Sequence, residues 1–360
     1  MRIAFILGTR PEVIKLAPLL RRVVERGDPV FLIHTNQHYS ANMDAVFFEE
    51  LALPAPTHNL RVGSGSHGEQ TAKMLLGIEP ILIEDRPDVV VVQGDTNTVV
   101  AGALAAAKLG IPLAHVEAGL RSGDRTMPEE LNRIVTDHLA DALYAPTDAA
   151  KQALVQEGIP VERILVTGNT AVDAVLDHRA IALARPTLGD LGLTPERYVL
   201  LTLHRPSNVD DRNRLSAILD GLAQVARATA LPIIFPVHPR TAKQLELFGL
   251  ALPEQVRTIE PMGYLDFLAL QAGARLILTD SGGIQEEACT LDVPCVTLRE
   301  NTERPETIRV GANRLAGTSS LGILAAVEAA LAAPRGWQNP LGAGTASEQI
   351  LHALMKIIPS

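Results

Sequence analysis

The sequence predicts an α/β protein made of two doubly wound, parallel-sheet domains, and three observations carry that expectation. Short apolar runs alternate with longer segments of helical spacing almost from end to end. The alternation is interrupted once, by a stretch rich in Pro, Gly and charge, and then restarts. The chain has 360 residues, a length that suits two domains at about 150 residues each.

Taken in order, Arg2–Leu7, Val30–His34, Val89–Gln93, Leu113–Val116, Leu143–Ala145 and Ile164–Thr167 read as buried strands. Helical spacing fills the gaps at Pro11–Arg26, Thr96–Leu109, Pro128–Leu139 and Thr147–Glu157. Strand and helix repeated this way imply a parallel sheet with helices on both faces. The break falls near Asp177–Arg197, ending in ARPTLGDLGLTPER, which reads as an interdomain connection. The pattern restarts with strands at Tyr198–Leu203, Ile233–Val237, Arg275–Thr279 and Cys295–Leu298. APRGWQNPLGAG (333–344) precedes a last amphipathic helix over Ala346–Ile358. The expected division is 1–176 for the first domain, with 346–360 packing back on it, and 177–345 for the second. Two such domains facing each other place a ligand cleft at the carboxyl ends of their strands.

Composition narrows the function. Apolar residues make up 47% and charged residues 20% of the chain, and the mean hydropathy is +0.15, which excludes a disordered chain. With 41 acidic against 32 basic residues the net charge is −9, which argues against a nucleic-acid or anionic-membrane binder but leaves room for a local phosphate pocket. Cys289 and Cys295 flank a short apolar stretch and read as small core residues; two cysteines make neither a disulfide framework nor a four-ligand zinc site. The N-terminus lacks the long apolar run of a signal peptide, and no stretch reaches the roughly 18 apolar residues of a membrane span. A soluble, cytoplasmic protein is expected. Residues 63–68, GSGSHG, match G-x-G-x-x-G formally. They follow no clear strand and lack the acidic partner about 20 residues on, so a flexible loop is expected and NAD is not. No P-loop motif is present.

Polar residues just after the strands are the candidates for chemistry. GTRPEVIK puts Arg10 and Lys15 at a helix start, where Pro11 suits the first turn. GDTNT puts Asp95 and Thr96 at another helix N-terminus, where an aspartate also serves as a plain cap. Glu117 directly follows an apolar strand, so its carboxylate must be paired or solvated. MPEELNR puts Glu129 and Glu130 in a first turn, where either also suits the helix dipole. Asp95, Glu117 and one of these glutamates share a sheet edge, and clustered carboxylates suit acid–base chemistry. A metal site is the competing use, but no tight ligand pattern accompanies them. The second half offers His204 and Arg205, then His238 and Arg240, then Ser281, Gly282 and Gly283 opening a helix, with Glu287 and Arg304 near the same edge. A helix start with free N–H groups and converging Arg and His suits a nucleoside diphosphate; a plain tight turn is the alternative for 281–283.

Together GTRPEVIKLAPL (8–19), QGDTNT (93–98), HVEAGLRSGD (115–124), MPEELNRIVTDH (127–138), LTLHRPSN (201–208), HPRT (238–241), TDSGGIQEEA (279–288) and TERPE (302–306) resemble the non-hydrolysing UDP-N-acetylglucosamine 2-epimerases. The resemblance runs in order over essentially the whole chain. It implies the glycosyltransferase-B fold of two Rossmann-like domains, no cofactor or resident metal, and a homodimer. It implies interconversion of UDP-N-acetylglucosamine and UDP-N-acetylmannosamine for cell-envelope polysaccharide. By position, Asp95, Glu117, Glu129 and His204 match catalytic residues, with Glu129 the better match than Glu130. Arg10, Lys15, Arg205, His238, Ser281, Gly282, Gly283, Glu287 and Arg304 match substrate-handling positions. Gln37 and His38 match part of an allosteric site of some bacterial members, or are a polar loop. The alternatives are 2-epimerisation of UDP-2,3-diacetamido-2,3-dideoxyglucuronic acid, and a hydrolysing epimerase or glycosyltransferase on the same fold.

Overall fold

The structure, a computed structural model, describes residues 1–36 and 48–357. The chain forms two compact units: Met1–Ala174 together with the stretch from Leu341 onward, and Val175–Pro340.

The first unit runs β1 (Ile3–Leu7), α1 (Arg10–Glu25), β2 (Val30–His34), β3 (His58–Asn59), α2 (His67–Glu84), β4 (Val89–Gln93), α3 (Asn97–Lys108), β5 (Leu113–Val116), α4 (Pro128–Leu139), β6 (Ala142–Ala145), α5 (Asp148–Gln156) and β7 (Ile164–Val166). Among the described residues these strands form one seven-stranded sheet in the order β3-β2-β1-β4-β5-β6-β7, parallel throughout. IAFIL of β1 and VVVVQ of β4 are buried along their whole length, because helices cover both faces of the sheet. Each such Val, Leu, Ile or Phe contributes roughly 1.5–3 kcal/mol by leaving water. Chain order reverses between β1 and β4, which makes their carboxyl ends the switch point where a doubly wound sheet opens a crevice.

α6 (Thr170–Leu183) carries the chain into the second unit. There α7 (Thr187–Asp190), β8 (Val199–Thr202), α8 (Pro206–Val209), α9 (Arg212–Thr229), β9 (Ile233–Pro236), α10 (Pro239–Phe248), β10 (Val256–Ile259), α11 (Tyr264–Gly273), β11 (Leu276–Thr279), α12 (Gly282–Thr290), β12 (Cys295–Thr297), α13 (Pro305–Arg309), β13 (Asn313–Leu315) and α14 (Ser320–Ala332) follow. Among the described residues the sheet has six parallel strands, in the order β10-β9-β8-β11-β12-β13, and its switch point lies between β8 and β11.

Several local expectations change. The segment read as an interdomain connection is folded: α6 passes Asp177 without a break, and Arg185 and Thr187 bond Asp266 of α11 at 2.6 and 2.5 Å. GSGSHG is not all loop, because Ser66 caps α2 by accepting from Glu69 N–H at 3.3 Å and the helix starts at His67. The C-terminal helix begins at Ala346 as expected but ends at Leu354. Asp173 of α6 caps it, accepting the N–H groups of Ala346 at 3.2 Å and Ser347 at 2.8 Å, and the helix packs along α1.

Candidate active site

At the first switch point β1 turns into α1 through Gly8 and Thr9. A Cβ on Gly8 would lie 2.1 Å from Thr35 Oγ1 and 2.3 Å from Thr98 Oγ1, so glycine is needed where these segments converge. The two hydroxyls bond each other at 2.8 Å. Glu12, buried in the first turn of α1, accepts the N–H groups of Gly8 at 2.6 Å and Thr9 at 2.8 Å on one oxygen, and the Thr96 hydroxyl on the other. Burial pushes its carboxyl up to about 7 against these hydrogen bonds, and the Asp95 charge adds to the rise.

Asp95 and Glu117 follow neighbouring strands, in which Gln93 is in register with Val116. Asp95 is partly exposed and ion-paired to Arg133 of α4, and its carbonyl accepts from Asn132 Nδ2 at 2.9 Å. Glu117 is buried with φ +68°, a left-handed conformation that costs a non-glycine residue roughly 1–2 kcal/mol. Lys15 Nζ lies 2.7 Å from its Oε2, and Gln93 Nε2 donates to the same oxygen. A carboxylate so paired stays in place at the end of a strained turn, and backbone strain of this kind clusters at functional sites.

Beneath this edge sits a buried polar cluster. His115 of β5 is fully buried, with Nδ1 2.6 Å from Asp137 and Nε2 2.9 Å from the Gly94 carbonyl. Asp137 also accepts Gly119 N–H at 3.2 Å and pairs with Arg121 at 2.7 Å. Burial works against its charge, but His115 and Arg121 outweigh that and hold the carboxyl below the usual range. The backbones flanking Asp95 and Glu117 are thereby anchored to one cluster. Glu130 braces the neighbouring loop in a comparable way. It accepts the N–H groups of Ser122 at 2.9 Å and Gly123 at 3.0 Å and pairs with Arg133 at 2.9 Å. Burial opposes its ionisation, yet these donors keep its carboxyl low. Glu129 is exposed in the same helical turn, and Arg10 is exposed at the start of α1.

The second switch point is organised by Asp280, fully buried after β11. It accepts the N–H groups of His204 at 3.1 Å and Arg205 at 2.9 Å and the Asn208 amide at 3.3 Å. Its carbonyl accepts Arg205 Nε at 3.0 Å. The rings of His204 and His238 lie 5.6 Å apart. His238 caps α10, its Nδ1 accepting Arg240 N–H at 3.2 Å; burial first, then His204 and Arg240, depress its basicity. The neutral ring with Nδ1 accepting has Nε2 as its donor.

Ser281 stands at the N-cap of α12, and its side chain makes no capping hydrogen bond. A Cβ on Gly282 would lie 3.1 Å from Arg304 Nη1, whereas one on Gly283 would meet open space. Arg304 is buried, bonding Glu286 at 2.7 Å and approaching Glu303 at 3.4 Å. Arg299 and Glu303 form a two-point pair at 3.0 and 2.8 Å. Burial resists the charge on Glu303, but Arg299 and Arg304 hold it far below the usual carboxylate range. Burial and then the Arg299 charge lower the basicity of Arg205. Glu287 of α12 accepts from Gln271 Nε2 at 2.5 Å. An uncapped helix start beside clustered guanidinium groups is equipped for an anion such as a diphosphate.

Of the residues expected from sequence, Lys15 and Glu117 are brought into contact, as are His204 and His238. Ser281, Gly282, Gly283 and Glu287 share α12 and its cap, with Arg304 against Gly282. Gln37 and His38 lie outside the described residues. Sequence reasoning missed Glu12, Gln93, His115, Arg133, Asp137, Asp280 and Arg299. Gln93 and Asp280 carried a usable signal, since each is a polar residue at the end of an apolar strand. Among the described residues no cluster of three His, Cys, Asp or Glu is arranged to hold a metal ion.

Two parallel doubly wound units, with charged side chains gathered at each switch point, put the chain in the class of glycosyltransferase-B-fold enzymes. The sequence profile of the UDP-N-acetylglucosamine 2-epimerase family matches residues 23–355. The UDP-N-acetylglucosamine 2-epimerase of Methanocaldococcus jannaschii is 53% identical, over 98% of this chain and 99% of that protein. The crystal structure of the Methanocaldococcus jannaschii UDP-GlcNAc 2-epimerase in complex with UDP-GlcNAc and UDP superposes with a TM-score of 0.92 at 53% identity, covering 99% of this chain and 100% of that one. The UDP-2,3-diacetamido-2,3-dideoxy-D-glucuronate 2-epimerase of Pseudomonas aeruginosa is 39% identical, over 99% and 100% of the two chains. The chain belongs to the UDP-N-acetylglucosamine 2-epimerase family.

Proposed function

We propose that this protein is a non-hydrolysing epimerase that interconverts UDP-N-acetylglucosamine and UDP-N-acetylmannosamine. One observation carries the reading: Asp95 and Glu117 stand at the ends of neighbouring strands in different electrostatic surroundings, one against Arg133 and the other between Lys15 and Gln93. The carbon-2 proton of a sugar is not acidic, so simple deprotonation is prohibitively slow. Elimination avoids this. UDP leaves carbon 1 with the bonding electrons while a base takes the carbon-2 proton, leaving 2-acetamidoglucal. UDP then adds back to carbon 1 as an acid delivers a proton to the opposite face of carbon 2. Such chemistry needs an acid and a base on different sides of the ring, for which Asp95, Glu117, Glu129 and His204 are the candidates. It also needs donors that stabilise and retain departing UDP. Arg10, Lys15, Arg205, His238, Ser281, Gly282, Gly283 and Arg304 are assigned that role and Glu287 the ribose. The first unit then supplies the candidate carboxylates, and the second supplies most of the groups that hold UDP.

Incubation with UDP-N-acetylglucosamine in heavy water tests this. Both UDP-sugars should accumulate with deuterium at carbon 2; free N-acetylmannosamine with stoichiometric UDP is the outcome that overturns it. The 39% identity to the Pseudomonas aeruginosa enzyme favours a second reading, the diacetamidoglucuronate sugar as substrate, and product analysis on both sugars separates the two. The same reading takes the enzyme to be cytoplasmic and a homodimer. No described helix is long and apolar enough to cross a membrane. α2 exposes Leu76 and Ile83 and α4 exposes Leu131 and Val135, apolar side chains that a second copy would cover.

A further inference from the structure

Glu12 is a buried titratable group at the first switch point that the proposed chemistry leaves unused. A glutamate three residues into a helix ordinarily returns to the N-cap N–H at the protein surface. Here it does so inside the protein, at 3% exposure, and its other oxygen crosses from the β1–α1 turn to the β4–α3 turn to meet Thr96, the neighbour of Asp95. We propose that Glu12 is a positioning residue of the epimerisation: through the Thr96 hydroxyl its carboxyl fixes the turn that carries Asp95 and sets the charge against which Asp95 works. This rests on the epimerase reading.

All three contacts of Glu12 are with donors, so the ionised form is satisfied as it stands. A proton on the oxygen facing Thr96 reverses that contact: Glu12 donates, and Thr96 accepts and turns its own hydrogen elsewhere. The neutral form also removes a negative charge from beside Asp95. Burial brings the change between the two forms to about pH 7. Among the described residues the charged groups around Glu12 are few. Asp95 faces it from the β4–α3 turn, and Arg133 of α4 is paired with that same Asp95. Arg10 and Lys15 stand on the helix of Glu12, Lys15 paired with Glu117 at the end of β5. β4, packed on α1, has no ionisable residue, and the C-terminal helix keeps Glu348 and His352 exposed.

The test is the pH profile of kcat/KM for wild type, Glu12→Gln, Thr96→Val and Thr96→Ser, together with UDP affinity by calorimetry. Wild type should show an inflection near pH 7. Glu12→Gln and Thr96→Val should lose it and about tenfold in kcat, with KM and UDP affinity within about twofold. Thr96→Ser, which keeps the hydroxyl, should keep the wild-type profile. Profiles of Thr96→Val and Glu12→Gln that superimpose on an active wild type overturn the inference alone. If Glu12→Gln does not fold, Thr96→Val decides the matter, since it leaves Glu12 in place. A wild type inactive on both UDP-sugars overturns the function and the inference with it.

Discussion

The two switch points use one backbone plan for opposite electrostatics. In each unit the first strand lies beside a strand from later in the chain, and a pair of threonine hydroxyls bridges neighbouring segments, Thr35 to Thr98 at 2.8 Å and Thr202 to Thr279 at 2.6 Å. The first then gathers Glu12, Asp95 and Glu117, with Lys15 and Arg133 as counterions. The second gathers Arg205, Arg299 and Arg304 around Asp280, Glu286 and Glu303. Burial wins at Glu12, which is raised, and guanidinium groups win at Glu303, which is lowered. A doubly wound sheet thus supplies only the place, and the charged residues after its strands and on the helices that follow give each place its own electrostatics.

The strongest way to break this contrast is to neutralise the first site. Asp95→Asn and Glu117→Gln should each lower turnover by about 10²-fold or more while UDP still binds. Equal losses in UDP affinity would break the contrast. Gly8→Ala places a methyl within 2.1–2.3 Å of two bonded hydroxyls, and roughly 3 kcal/mol of stability should be lost in thermal unfolding. An unchanged melting temperature would mean that this convergence yields more easily than its geometry implies.

pH gives a third comparison. The folded value of Glu12, about 7, lies above its ordinary 4.5, so its contribution to stability is full below 4.5 and lost as pH rises through 7. Glu303, Glu130 and Asp137 are lowered, and theirs is present above the ordinary carboxylate range and lost on acidification. Glu12→Gln should therefore gain on wild type by about 2 kcal/mol between pH 5 and 8. Scanning calorimetry across that range checks it, and a constant difference counts against a buried, titrating Glu12. The smallest effect belongs to Gly282→Ala. Its Cβ would press on Arg304, itself held by Glu286, so UDP affinity should fall about tenfold with kcat at saturation nearly unchanged. Calorimetric titration with UDP reads this directly, and unaltered affinity would remove Arg304 from the anion site.

The strands that carry the sites were legible because they are buried on both faces and so read as apolar runs: Ile3–Leu7, Val89–Gln93 and Leu276–Thr279 stand out. The edges were not. His58–Asn59 is two residues long, Val256–Ile259 exposes Arg257 and Thr258, and Asn313–Leu315 has three residues, so none offers a period to count. Among the candidate site residues, position after a strand pointed to Asp95, Glu117, His204 and Ser281. It could not reveal Glu12 or Arg133, whose importance arises from contacts 84 and 38 residues distant in sequence. Nor does a string of letters show that, of Glu129 and Glu130, the second is the buried one that holds the 122–123 backbone.

The capping of the C-terminal helix by Asp173 bears on how the chain is made. The first unit is discontinuous, closed by residues from Leu341 onward, including the bond from Asn169 N–H to the Leu341 carbonyl at 2.7 Å. Domains generally fold in the order in which they leave the ribosome. Here the second unit is fully synthesised while the first still lacks its final helix, and the side of α1 on which that helix packs stays uncovered until then. The unit that begins the chain is the last to be finished, and a nascent chain stalled before Leu341 presents an open apolar surface to chaperones.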